Sequence, residues 1–137
     1  MSCSSAETLC VPPDKIAEVW PHVVHWLANA VGKCGDWTLA AILDGLARET
    51  CLLWILWDGA LHAACVTELV IVPKGKICRI VACGGDQAIA WPVAFAPIER
   101  YARDQGCVSM RIEGRPGWQR VFPDYEPEWI CLEKGLN

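Results

Sequence analysis

Residues 51–85, CLLWILWDGALHAACVTELVIVPKGKICRIVACGG, decide the fold. Three apolar runs, CLLWILW (51–57), LHAACVTELVIV (61–72) and ICRIVAC (77–83), are parted by two short breaks. Asp58-Gly59 ends the first run and is the dipeptide of a tight hairpin, where glycine takes a positive φ at no steric cost. Pro73-Lys74-Gly75-Lys76 ends the second, and Gly84-Gly85 stops the third. The runs are nearly continuous in apolar character, whereas a sheet with one wet face would alternate. They predict an antiparallel meander covered on both faces.

The covering helices lie on either side. In residues 12–33, Ile16, Val19, Trp20, Val23, Leu27 and Val31 recur at helical spacing. Pro21 removes a donor and crowds the preceding turn, so it is expected to kink this helix or open a second segment. Asp36 or Thr38 can cap a second helix whose buried stripe is Leu39, Ile42, Leu43 and Leu46. Residues 88–105 form a third, with Ile98, Tyr101 and Ala102 on one face and Glu99, Arg100, Arg103 and Asp104 on the other; Gly106 stops it. A strand over residues 107–113, a short helix around 118–122 with Pro116 near its first position, and a last strand over 128–133 complete the chain. The predicted order is α-α-β-β-β-α-β-α-β, an α/β (α+β) single domain with a mixed sheet over residues 12–137, preceded by a flexible leader over residues 1–11.

Composition excludes several classes. The 137 residues are 53% hydrophobic and 20% charged, too apolar for a disordered or fibrous chain. Twelve basic against sixteen acidic residues leave a net charge of −4, which argues against nucleic acid as a partner. Residues 19–32 carry no Asp, Glu, Lys or Arg but hold Pro21, His22 and His25, and they fall short of the roughly 20 apolar residues of a membrane span. The start, MSCSSAETLC, has no basic region followed by an apolar one, so a cytoplasmic location is expected. Nine cysteines contain no C-x-x-C pair, and most sit in apolar strand-like runs, where a thiol behaves as a small hydrophobe. They are expected to be reduced core residues, with no metal site, because tight ligand spacing is missing. His22 and His25 share a helix face at i, i+3, and with Cys34 they make a metal set only if the fold brings the three together.

Two further features carry candidate chemistry. Glu68 lies within the apolar strand LHAACVTELVIV. A buried acid is costly unless paired, so Glu68 faces solvent, is paired, or has a task. In RIEGRPGWQRVFP, Arg111, Arg115 and Arg120 cluster beside Trp118 with Glu113 between. Guanidinium groups pair with phosphate or carboxylate and stack on indole, giving either an anion or partner site or an Arg–Glu surface network.

The element order, with VWPHVV (19–24), LLW (52–54), VTELV (66–70), GGD (84–86), IERYARDQGC (98–107), RIEGRPGWQRVFPDY (111–125) and LEK (132–134), resembles the GNAT N-acetyltransferase superfamily over about residues 11–134. The local match is closest to small members encoded by tailed phages and prophages. The resemblance implies acetyl-CoA as substrate and no metal. It places the backbone of Val81, Ala82 and Cys83 along the pantetheine, and Gly84, Gly85 and Gln87 in the turn that offers N–H groups to the pyrophosphate. The following strand is expected to splay away and open a place for the acyl group. Asp86 stands in that turn, an anion where phosphates are expected. The resemblance makes Glu68 the candidate base and Tyr125 the nearest tyrosine to the usual acid position at residues 120–122. It leaves two functions: an acetyl-CoA-dependent N-acetyltransferase, or a non-catalytic virion or assembly component. The second has phage structural proteins or a second copy of the chain as partners, and a virion as a further location. No membrane partner is expected.

Overall fold

A computed structural model describes residues 6–33, 37–86, 89–113, 118–128 and 132–136. The meander forms as the sequence predicts, with β2 Cys51–Trp57, β3 Leu61–Val72 and β4 Gly75–Gly85 paired antiparallel. At the first turn Gly59 has φ of +99°, and the Asp58 carboxylate accepts the Ala60 N–H at 3.3 Å. At the second, Gly75 takes φ of +136°, beyond easy reach of other residues.

The leader requires correction. Residues 7–10 are not loose: β1, Glu7–Cys10, pairs antiparallel with the outer edge of β2, from Glu7 opposite Trp57 to Cys10 opposite Trp54. The ladder extends through the Val11 N–H to the Leu53 carbonyl at 2.8 Å, and the Thr8 hydroxyl donates to Ala94 O at 2.6 Å. ETLC has little apolar signal. It is a strand because the free backbone groups along β2 need partners. β5, Ser109–Ile112, lies parallel to β4 on the far side and completes the sheet order β1-β2-β3-β4-β5.

Two helices cover one face. After a 3-10 turn at Pro13–Lys15, α1 runs through Ile16–Lys33 as one helix with Pro21 inside it, so no second segment opens there. Val23 and Leu27, fully buried in the turns that follow Pro21, anchor the helix past the donor lost there. α2, Leu39–Ala47, is capped by Thr38, whose hydroxyl accepts the Ala41 N–H at 3.0 Å; Asp36 lies outside the described residues. Ile42 and Leu46 are buried, but Leu43 turns outward. These side chains meet Val11, Cys51, Leu53, Ala64, Val66 and Ala82 in one core.

The other face carries α3, Trp91–Asp104, and α4, Trp118–Val121. α3 starts later than the sequence suggests, with Ala90 at its N-cap and Pro92 in its first turn. Phe95, Ile98 and Ala102 pack with Trp54, Cys65, Cys78, Ile80 and Phe122 in the second core. There the Trp54 indole N–H donates to the Thr67 hydroxyl at 3.0 Å, which satisfies the one buried polar side chain of the sheet among the described residues. The expected last strand is not formed at residues 128, 132 and 133, which are irregular; residues 129–131 lie outside the described set. No described helix is long and apolar enough to cross a membrane.

Candidate functional site

The sheet opens where β5 stops. β4 and β5 pair only from Ile77 opposite Ser109 to Ile80 opposite Ile112, while β4 continues with β3 to Gly85. Among the described residues the β4–β5 ladder thus ends at Ile80, while β4 itself runs on to Gly85. Just past the last β4–β5 pair the register against β3 slips: Val66 faces Ala82, but Thr67 faces Ile80, so Val81 is an extra, bulged residue. A bulge re-aims the strand. Val81 and Ala82 consequently both pack toward α1 and α2, whereas Cys83 packs toward α3.

Gly84 and Gly85 are not a strand-to-helix turn. They are paired strand residues, opposite Ala64 and Ala63. A Cβ on Gly85 would lie 2.5 Å from the His62 carbonyl oxygen, and one on Gly84 would lie 3.1 Å from Trp26 Cβ and O. Close approach of β3 and α1, rather than a phosphate, accounts for glycine at both positions. Gln87 lies outside the described residues.

Asp86 follows at once and is held firmly. Its N–H donates to His62 O at 2.9 Å, and its carboxylate lies 3.0 Å from His62 Nδ1. The other ring nitrogen, Nε2, is 2.7 Å from the Asp58 carboxylate. The hydrogen bonds to Asp86 and Asp58 raise the pKa of His62 above its ordinary 6.5. Asp86 is thus a tie to β3 rather than a cap on α3, which begins five residues later. In the sequence Asp58 reads only as a turn residue, and the lone histidine inside LHAACV, His62, is the one signal of this arrangement.

Glu68 lies on the α1–α2 face, since residues alternate along β3 and Val66 packs there. Opposite it on β4 stands Arg79, which donates to Glu68 Oε2 from Nη2 at 3.0 Å and Nε at 3.3 Å. Arg79 Nη1 also donates to Glu113 at 3.4 Å. Arg111 is the β5 partner of Arg79, so a row of charge crosses β3, β4 and β5. Cys51 pairs with Glu68 from β2, and burial, with the nearby carboxylate, pushes its thiol up to about 11.

Tyr125 is on the opposite side. Its ring packs on Phe122 with centroids 5.0 Å apart, and its hydroxyl donates to Glu99 at 2.8 Å. Burial and that carboxylate raise the phenol far above its ordinary range. The sheet thus separates Tyr125 from Glu68. The arginine cluster divides in the same way. Met110 and Ile112 pack toward α3, so Arg111 points to the other face, while Trp118 packs edge-on against Trp91 at 5.8 Å. Arg120 is exposed on α4, and Arg115 lies outside the described residues.

Four cysteines, Cys51, Cys65, Cys78 and Cys83, are buried in the core; burial pushes the Cys78 thiol up to about 12. A groove of about 590 Å³ runs between α1 and the β2–β3 end, lined by His22, His25, Trp26, Trp57 and Leu61. Cys34 is outside the described residues, and among those described no group of side chains is arranged to hold a metal ion.

No family model matches the sequence, and no curated protein matches it. Solved structures do match in fold. AAC(6')-Iy in complex with the bisubstrate analogue CoA-S-monomethyl-acetylneamine superposes with a TM-score of 0.69 at 15% identity, covering 98% of this chain and 100% of that one. The ribosomal-protein-alanine N-acetyltransferase of Brucella melitensis biovar Abortus 2308 gives 0.69 at 10%, covering 97% and 100%. A predicted acetyltransferase of Clostridium acetobutylicum with acetyl-CoA gives 0.64 at 12%, covering 96% of each. The described elements make a GNAT fold, with a five-stranded mixed sheet between two helical layers.

Proposed function

We propose that the protein is an acetyl-CoA-dependent N-acetyltransferase that works at the opening between β4 and β5. The observation that carries this reading is that β4 runs on past its last pair with β5, Ile80 opposite Ile112, through the Val81 bulge to Gly85, so that the two strands part there. A strand edge beside such a parting can exchange backbone hydrogen bonds with the amides of a pantetheine arm. The amine nitrogen attacks the thioester carbonyl, the C–S bond breaks, and the thiolate takes a proton from solvent. Glu68 accepts the amine proton through water. Both Arg79 bonds end on its Oε2, which leaves Oε1 for that task. Tyr125, bonded to Glu99 on the other face, has no part in the transfer.

A second reading rests on a different observation. Asp58 and Asp86 stand together at the end of β4, where the pyrophosphate is expected, and anions there oppose one another. That favours a GNAT-fold component of tailed-phage type that performs no chemistry and assembles with virion proteins or with itself. Calorimetric titration with acetyl-CoA separates the two. Micromolar binding supports the enzyme; no heat at millimolar ligand rejects it in favour of the assembly role.

A further inference from the structure

His62 joins three segments that are otherwise separate. Its own strand is β3. Asp58 sits in the β2–β3 turn, and Asp86 opens the connection from the free end of β4 to α3. Both ring nitrogens face a carboxylate, at 2.7 and 3.0 Å. A neutral imidazole has one N–H and can donate to only one of them; two donors require the imidazolium. The clasp is therefore complete only when His62 is charged. The N-cap of α3, Ala90, offers no side-chain cap, so the helix end keeps its preference for an anion.

We infer that His62 is a positioning residue for the phosphate end of the candidate acetyl-CoA site, holding Asp86 back while protonated and releasing a carboxylate toward the ligand when neutral. This rests on the acyl-CoA reading above. With the imidazolium in place, Asp58, His62 and Asp86 sum to one negative charge; without it they sum to two, and one hydrogen bond is lost. Both changes act against a pyrophosphate. On α1, Glu18, His22 and His25 line the groove beside Leu61, but among the described residues only Asp58 and Asp86 hydrogen-bond the His62 ring. The raised pKa of His62, caused first by Asp86 and then by Asp58, moves the release to a higher pH than an ordinary histidine would give.

The test is calorimetric titration of acetyl-CoA from about pH 6 to about pH 8.5, the range in which a histidine changes charge. Wild type, His62→Gln and Asp86→Asn are compared, because the phosphomonoester of the ligand itself titrates near pH 6. The wild-type Kd should rise across this range by about fivefold more than that of His62→Gln, the scale of one added nearby charge partly screened by water. Asp86→Asn, which removes the clasped carboxylate that follows β4, should also flatten the profile. By NMR the His62 ring should titrate above its ordinary value in wild type and lower in Asp86→Asn. Parallel profiles in wild type and His62→Gln, with binding intact, overturn this inference alone. No binding at any pH overturns the acyl-CoA reading and this inference with it.

Discussion

Gly85→Ala distinguishes a packed strand from an open loop. The added Cβ would lie 2.5 Å from His62 O, 2.6 Å from Ala63 Cβ and 2.8 Å from Ala63 Cα. Carbon and oxygen keep about 3.3 Å apart even in close C–H···O contacts, so the His62 carbonyl must retreat by about 0.8 Å. That carbonyl is sheet backbone and also accepts the Asp86 N–H at 2.9 Å, so it cannot move alone. Overpacking usually costs about 1–3 kcal/mol, and a rigid backbone obstacle places this case near about 3 kcal/mol. Gly84→Ala meets Trp26 at 3.1 Å, where a shift of a few tenths of an ångström in α1 suffices, and should cost about 1 kcal/mol. For a chain of this size each kcal/mol lowers Tm by about 3 °C, hence about 9 °C and 3 °C. Urea unfolding followed by circular dichroism, with m unchanged, gives the two values directly. If Gly85→Ala unfolds within about 0.5 kcal/mol of wild type, residues 84–85 are a tolerant loop and the close β3–β4 packing argued above is refuted.

Other expectations concern the core, the chemistry and pH. Thr67→Val keeps the shape but leaves the Trp54 indole N–H without its acceptor, and should cost about 1–3 kcal/mol in the same urea assay; Trp54→Phe in the same background should recover part of that loss. Glu68→Gln should lower kcat by about 100-fold or more with KM nearly unchanged, and an unchanged kcat would confine Glu68 to its structural pair with Arg79. A thiol reagent should modify Cys10 at once and reach Cys51, Cys65, Cys78 and Cys83 only after denaturation, when all nine thiols of the chain should react without prior reduction. Because the folded pKa of His62 is raised, the stabilising clasp is fully present below about pH 6.5 and is lost as pH rises through the folded value; the stability difference between wild type and His62→Gln should shrink over that rise.

The meander and its two covering layers were legible in the chain because long apolar runs and glycine-marked turns are local signals. The runs at residues 51–57, 61–72 and 77–83 each reappear as a strand, and the stripes Val23–Leu27 and Ile98–Ala102 each bury a helix face. β1 was not legible: ETLC has no pattern of its own and pairs because β2 offers an unfilled edge. Of the candidate site, Glu68 and the glycines were legible as residues, but not as an arrangement, and His62 and Arg79 were not legible at all. Glu68 and Arg79 are eleven positions apart, and only the register of β3 against β4 makes them partners. Gly84 and Gly85 carry the same letters as a phosphate turn, yet the approach of His62 and Trp26 gives them their reason. Asp58, His62 and Asp86 meet because two strand ends lie side by side. Which residues tend to form strand, helix or turn is set by neighbours along the chain, so the sequence determined it; which side chains face one another depends on register and on the side of the sheet, and only the tertiary structure decided that.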